Sequence, residues 1–431
     1  MNNQTAFAKS PDFWRRMLWG ILIALLSALG TLIFVILMNF GLGFIWGWLD
    51  MADMEVFSGT WQIVAIMTVG GFIVGLIHHF TNAGEVNVFQ AVQKGHLDPK
   101  PVPASLLVSL ISLISGFSVG PEVPSGMLAG GLGTWISERR KMSDEDKSSN
   151  VLSGIVSAYG GLFTSPFSFV LMRLELAHQQ TPAYYGLIAI ATVAATLGFA
   201  FFYAVGGEEY AELLRLLDLP SYTLELWHLL VALVLSVVGA ALALVYGLTT
   251  GLVKKVVAPL ENQPIIRCTG AGLLLGLLGM ALPLTMFLGS EGLVFVTENA
   301  AELGVGLITL LVFGKILATA GAISTGFIGG PIFPLFFVGG AAGTAVHLLF
   351  PSVPLGLAVG CTMAALTAAA LPAPFMITIV VLLVTGIPAT EAIPVILAAI
   401  AAHSLTFGLG FLPRPQPTLP KPAVSDTQMN E

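Results

Sequence analysis

Charged side chains are scarce: 17 Lys and Arg and 24 Asp and Glu among 431 residues, a tenth of the chain, where a soluble domain carries about a quarter. That excludes a cytosolic enzyme and a disordered chain. Nucleic-acid binding needs a dense basic surface, and the net charge here is -7. Cysteine is nearly absent: Cys268 and Cys361 each sit in an apolar run, which leaves no disulfide framework or metal knuckle. There is no His-Glu-x-x-His, no nucleophile elbow around Ser290, and no Walker loop before Gly314-Lys315. Neither a cofactor nor an enzymatic activity is expected. Apolar residues are abundant, at 56%, alongside 48 Gly and 25 Pro. The composition implies a polytopic membrane protein. Because backbone polar groups in lipid must find partners within the protein, so many helix breakers imply broken helices packed around a protected site.

Charge-free stretches mark the spans: residues 17–49, 61–77, 151–172, 183–207, 229–253, 268–290 and 392–413. A 75-residue run, Ile316 to Thr390, carries no formal charge and is cut by Gly329, Gly330, Pro331, Pro334, Pro351, Pro354, Pro372 and Pro374. Lys9, Arg15 and Arg16 precede the first span, and Arg139, Arg140, Lys141 and Lys147 share one loop. The positive-inside rule then places the N-terminus in the cytoplasm; the expected location is the plasma (inner) membrane.

The chain repeats itself at an offset of 210. Laying Ser115–Trp135 over Thr325–Ala345 without gaps gives eight identities in 21 positions, among them Phe117/Phe327, Gly120/Gly330, Pro121/Pro331 and Pro124/Pro334. The expected organisation is a cytoplasmic N-terminal segment (1–14), a first membrane repeat (15–210), a linker (211–226), a second repeat (227–411) and a disordered tail (412–431). Duplicated transporters place their substrate between the repeats on interrupted helices. Each Gly-Pro-x-x-Pro can start a helix, and the free amides and dipole of a helix start favour an anion. Two such starts, facing each other, form an anion site without a basic side chain. Glu122 is the only charged residue between Lys100 and Glu138, and an ionisable residue inside a membrane is a functional candidate. Its carboxylate can occupy the anion's own position, making it a gate, a proton carrier or both.

These residues resemble the CLC chloride channels and proton-coupled chloride antiporters. The family's Gly-(Lys/Arg)-Glu-Gly-Pro motif is similar to Gly120-Pro121-Glu122-Val123-Pro124. Its Gly-x-Phe-x-Pro motif is similar to Gly330-Pro331-Ile332-Phe333-Pro334, with the Phe one position late. Lys315 matches a basic residue fifteen positions before that glycine. Phe163-Thr164-Ser165-Pro166 followed by Glu175 matches a helix start followed by an acidic pair. The resemblance covers residues 15 to 411. It implies an all-α fold of two inverted repeats with broken and re-entrant helices, a homodimer in the lipid membrane with one pathway per subunit, and transport of a small inorganic anion, chloride or fluoride, with or without protons. The implied anion-binding positions are Gly120, Pro121, Val123, Ala83, Gly84, Gly330, Ile332 and Phe333, mostly through backbone, with Glu122 as gate and Glu175 on a proton path. A secondary transporter of another small solute on the same architecture is the alternative.

Three positions depart from the family pattern. A Ser hydroxyl of the family aligns with Ala83, with Thr81 and Asn82 as neighbouring substitutes. The family's C-terminal tyrosine has no counterpart, since the last tyrosine is Tyr246; Phe407 or Phe411 can fill its volume. The second acid of the family's pair aligns with Leu176, which leans toward flux uncoupled from protons. Lys315 is expected to reach toward the membrane interface and add positive potential to an anion vestibule. Arg173 and Glu175 are expected to meet the interface or each other, and His78 and His79 to end the second span.

Overall fold

The structure is a computed structural model that describes residues 10–47, 59–84, 86–179, 181–212 and 217–408. Glu85, Phe411 and the tail 412–431 lie outside the described residues. Sixteen α-helices follow one another, and no strand occurs among the described residues. The first eight are α1 (Pro11–Trp46), α2 (Trp61–Phe80), α3 (Val88–Lys94), α4 (Val102–Ile114), α5 (Glu122–Arg139), α6 (Asp144–Leu162), α7 (Ser168–Leu176) and α8 (Pro182–Glu212). The second eight are α9 (Leu226–Val257), α10 (Pro264–Ala281), α11 (Ser290–Glu298), α12 (Ala300–Thr325), α13 (Ile332–Leu349), α14 (Leu355–Ala370), α15 (Pro374–Thr385) and α16 (Ala392–Gly408).

The two sets pack alike. α5 lies on α6 as α13 lies on α14; α6 meets α8 as α14 meets α16; α1 meets α6 as α9 meets α14. At their centre the equivalent residues Gly120 and Gly330 form an antiparallel bridge. Equivalent segments running in opposite directions are what an inverted repeat requires. The fold is thus all-α, in two inverted repeats with broken helices.

Among the described residues, seven helices are long and apolar enough to cross a membrane. Burial sorts them: 78% of the apolar stretch of α13 is inside the protein, against 33% for α2 and for α9. The helices at the periphery expose large apolar side chains such as Leu22, Phe44, Leu230 and Leu274, as lipid-facing surfaces do. α13 and α14 are the packed centre.

Two of the charge-free stretches are not single helices. Residues 151–172 break after α6, where Thr164 adopts a left-handed backbone (φ 45°) and Ser165-Pro166 interrupt the turn before α7. Residues 268–290 end at Ala281, continue as a short 3-10 turn and only then reach α11. The opposite miss is α12, which breaks at Gly304 (φ 68°) and then runs on to Thr325, a stretch that Lys315 hides from any charge-free scan. The breakers in 316–390 act largely as their chemistry dictates, separating α12, α13, α14 and α15. Pro334 and Pro374 lie within helices, each in a first turn, of α13 and of α15, where a missing N–H costs nothing.

Candidate functional site

The site is built from the two helix starts. Pro121 and Pro331 are the N-caps of α5 and α13. Pro124 and Pro334 contribute no N–H to the first turn. Ser125 and Leu335 already donate to the carbonyls of Pro121 and Pro331. Each start therefore presents two amides: Glu122 and Val123 on α5, Ile332 and Phe333 on α13. Ahead of each start, an extended pair of residues is fixed by reciprocal bonds, Gly120 N to Gly330 O at 2.7 Å and Gly330 N to Gly120 O at 2.8 Å. Phe117 and Phe327 stack across the same axis with ring centroids 3.7 Å apart. Ser118 and Thr319 share a hydrogen bond of 2.9 Å beside them.

Glu122 sits inside this frame and is 1% exposed. Its Oε1 accepts from the Ile332 amide at 2.7 Å, while Oε2 has no partner among the described residues. The carboxylate lies against both bridge glycines: a Cβ on Gly120 or Gly330 would overlap it. Glycine is required at both positions by this approach. A negative group thus rests on the amide of a facing helix start, the position where an anion would be favoured. Phe163 stacks on Phe333 with centroids 5.2 Å apart, walling one side of the α13 start.

The structure brings Gly120, Pro121, Glu122, Val123, Gly330, Ile332 and Phe333 together. Ala83 and Gly84 lie on a separate loop held to α4. Gly84 donates to Ser105 Oγ at 3.0 Å and accepts from it at 2.9 Å, so its amide is already engaged. Ala83 N meets Thr81 Oγ1 at 3.2 Å.

Glu175 repeats the gesture of Glu122 at another helix start. Its Oε1 accepts from Phe375 N at 2.6 Å and its Oε2 from Met376 N at 3.2 Å, capping α15 with both oxygens. Arg173, expected at the interface or on Glu175, does neither: it is buried, and its guanidinium donates to the carbonyls of Val92 and Gln93, the last turn of α3, where a cation is favourable.

Lys315 corrects a second expectation. Its side chain does not reach the interface; it is 0% exposed. Its ammonium donates to the carbonyls of Thr285 (3.2 Å), Met286 (2.6 Å) and Phe287 (2.8 Å) and lies 5.2 Å from the centre of the Phe337 ring. A Lys ammonium has three donors, and all three are taken by the turn that precedes α11. His78 Nε2 contacts the Gly326 carbonyl at 2.7 Å and Arg267 Nε donates to Thr325 O at 3.0 Å, so these side chains close the end of α12.

At the other end of α5, Arg16 meets Asp146 and Glu145 at 2.6 Å each, binding the start of α1 to the start of α6. A cavity of about 790 Å³ opens there between Arg16, Asp144, Ser149, Arg173, Thr181 and Tyr184. It shares no lining residue with the Glu122 cluster.

Sequence reasoning missed Ser105, the stacking of Phe163 on Phe333 and the capping roles of Arg173 and Lys315. A serine or phenylalanine in an apolar run gives no sign of its partner, and capping partners lie far away in sequence.

Comparison with known proteins follows the same outline. A family model described as voltage gated chloride channel matches residues 69–406. YfeO of Salmonella newport (strain SL254), provisionally named an ion-transport protein, is 25% identical over 339 residues, covering 74% of this chain and 77% of its own; YfeO of Salmonella typhimurium gives the same values. Among solved structures, a slow cyanobacterial Cl⁻/H⁺ antiporter matches with a TM-score of 0.77 at 20% identity, covering 93% of this chain and 96% of its own. A CLC-type fluoride/proton antiporter matches with a TM-score of 0.73 at 18% identity, covering 91% and 95%.

Proposed function

This chain belongs to the voltage-gated chloride channel (CLC) family, whose members transport ions and are not enzymes, and from that premise we propose that it carries a small halide across the membrane under the control of Glu122. The observation that carries the reading is the 2.7 Å bond from Ile332 N to Glu122 Oε1. The carboxylate occupies the amide that a passing anion needs, and its charge repels an ion arriving there. Protonation neutralises the carboxyl and removes its hold as an anion on the α13 start, and the halide takes its place. Val123 and Phe333 supply the remaining first-turn amides.

Flux is proposed to be uncoupled from protons. Leu176 cannot carry one, and both oxygens of Glu175 already cap α15, which ties this acid to a structural task. The proposed assembly is a homodimer in the plasma (inner) membrane, with the Arg15–Arg16 end in the cytoplasm. The repeats are proposed to span residues 15–210 and 227–411, joined by 211–226.

Halide efflux from protein-loaded liposomes tests the reading. Efflux that rises on acidification in the wild type and loses that response in Glu122→Gln supports it. Folded protein that passes neither chloride nor fluoride sinks it. Uphill proton movement driven by an imposed halide gradient would overturn the uncoupled part alone.

A further inference from the structure

Tyr159 is the one tyrosine packed around the helix starts, and the mechanism above gives it no task. It lies on α6 and is 5% exposed. Its ring is fixed by Phe169, with centroids 4.7 Å apart, and by Phe163, at 5.9 Å. Phe163 in turn stacks on Phe333 of the α13 start. Its hydroxyl rests against Gly126: a Cβ there would overlap the hydroxyl oxygen and lie 3.0 Å from the ring carbon that bears it. Gly126 stands four residues after Glu122 on α5, and residues so spaced are neighbours on one helix face, about 6 Å apart. Among the described residues the hydroxyl makes no hydrogen bond. A buried tyrosine hydroxyl ordinarily finds a partner.

The Tyr159 hydroxyl therefore meets α5 at Gly126, one turn after Glu122, whose Oε2 is itself unpartnered among the described residues. A hydroxyl can donate to a halide, whereas the apolar rings around it cannot. We propose that Tyr159 supplies the side-chain hydrogen bond to the transported anion, receiving it one turn from Glu122 toward the Arg139 end of α5. The halide passes from the first-turn amides of α5 and α13 to this hydroxyl. Gly126 is the positioning residue, because any side chain there would push the hydroxyl off the path. The assignment rests on the anion-transport reading and adds a residue to it.

The test compares wild type, Y159F, G126A and the double variant, with chloride and fluoride binding followed by calorimetry in detergent and chloride-to-nitrate selectivity followed in liposomes. Y159F removes one oxygen and keeps the ring packing. Losing a hydrogen bond to a charged group predicts a roughly tenfold or larger fall in halide affinity and a changed selectivity ratio. G126A moves both readouts the same way with the hydroxyl still present, and the double variant adds little to either single change. Y159F with wild-type affinity and selectivity overturns the assignment and leaves the anion reading standing. A lower yield of folded Y159F with unchanged affinity per folded protein makes Tyr159 a packing residue and also overturns it. Wild-type vesicles that pass no halide overturn both readings together.

Discussion

Glu122 and Ile332 occupy equivalent positions in the two repeats, 210 residues apart, and the carboxylate of one accepts from the backbone amide of the other at 2.7 Å. The two repeats therefore differ at this position: one presents an amide beside an apolar side chain, and the other an acid that rests on that amide. The first expected outcome concerns this pair. Glu122→Gln keeps the size of the side chain and removes its charge. Halide efflux should become flat with pH, whereas wild-type efflux should fall as pH rises and the carboxylate returns to Ile332. Removing a charge-assisted bond of about 1.5–3 kcal/mol shifts occupancy of the site by roughly ten- to a hundredfold. Efflux assays at acidic and neutral pH check the sign.

Gly330 allows the approach. Alanine there would drive its methyl into the Glu122 carboxyl group, an overpacking that costs about 1–3 kcal/mol. Gly330→Ala should melt at a lower temperature in detergent and, in the folded fraction, show efflux that no longer responds to pH because the carboxylate is displaced. Gly43, on α1, has nothing within 4 Å of an added Cβ, so Gly43→Ala should behave as wild type in both assays. Equal melting temperatures for the two variants would contradict the packing described at the bridge.

Glu175 separates a structural acid from a transporting one. Glu175→Ala leaves the Phe375 and Met376 amides without their cap and should cost about 1–2 kcal/mol, read as a lower melting temperature. Halide efflux per folded protein should persist, with no proton movement in either protein. Glu175→Gln that keeps halide flux but abolishes a proton current present in the wild type would show that this acid carries protons.

Much of this arrangement is legible in the residues themselves, and the reason is local. Gly-Pro-x-x-Pro encodes a helix start wherever it stands, since proline is tolerated in a first turn and glycine before it permits close backbone approach. The 210-residue echo identifies two such starts, and the antiparallel bridge of Gly120 with Gly330 is their meeting. Positions 116 and 326 fit the same logic: both glycines hold left-handed backbone, φ 87° and 109°, just before the paired segments. Long-range partners leave no such trace. That Arg173 turns to Val92 and Gln93, that Ser105 engages Gly84, and that Tyr159 reaches Gly126 depend on packing between distant helices. The break between α6 and α7 was hidden for another reason: residues 151–172 are apolar on both sides of Ser165-Pro166, so hydropathy alone reads one helix.

Lys315 is the sharpest case of a residue whose setting overrides its type. A lysine in an apolar helix ordinarily sends its ammonium to the interface, yet here the whole side chain is enclosed and its three donors meet the carbonyls of residues 285, 286 and 287. Among the described residues no carboxylate pairs with it. That turn includes Phe287 in a left-handed conformation, φ 53°. The ammonium is thus a clasp between α12 and the segment ahead of α11. Lys315→Met preserves most of the volume and removes every donor, leaving buried carbonyls that cost about 1–3 kcal/mol each when unpaired. The variant should lose several kcal/mol by that reckoning and yield little folded protein. Lys315→Arg should be poorly tolerated as well, because a planar guanidinium does not match three carbonyls gathered around one nitrogen. Fluorescence-detected size exclusion and thermal melting of the two variants measure this directly. A Lys315→Met protein that folds and melts like the wild type would show that the carbonyls find other partners and that the clasp is dispensable.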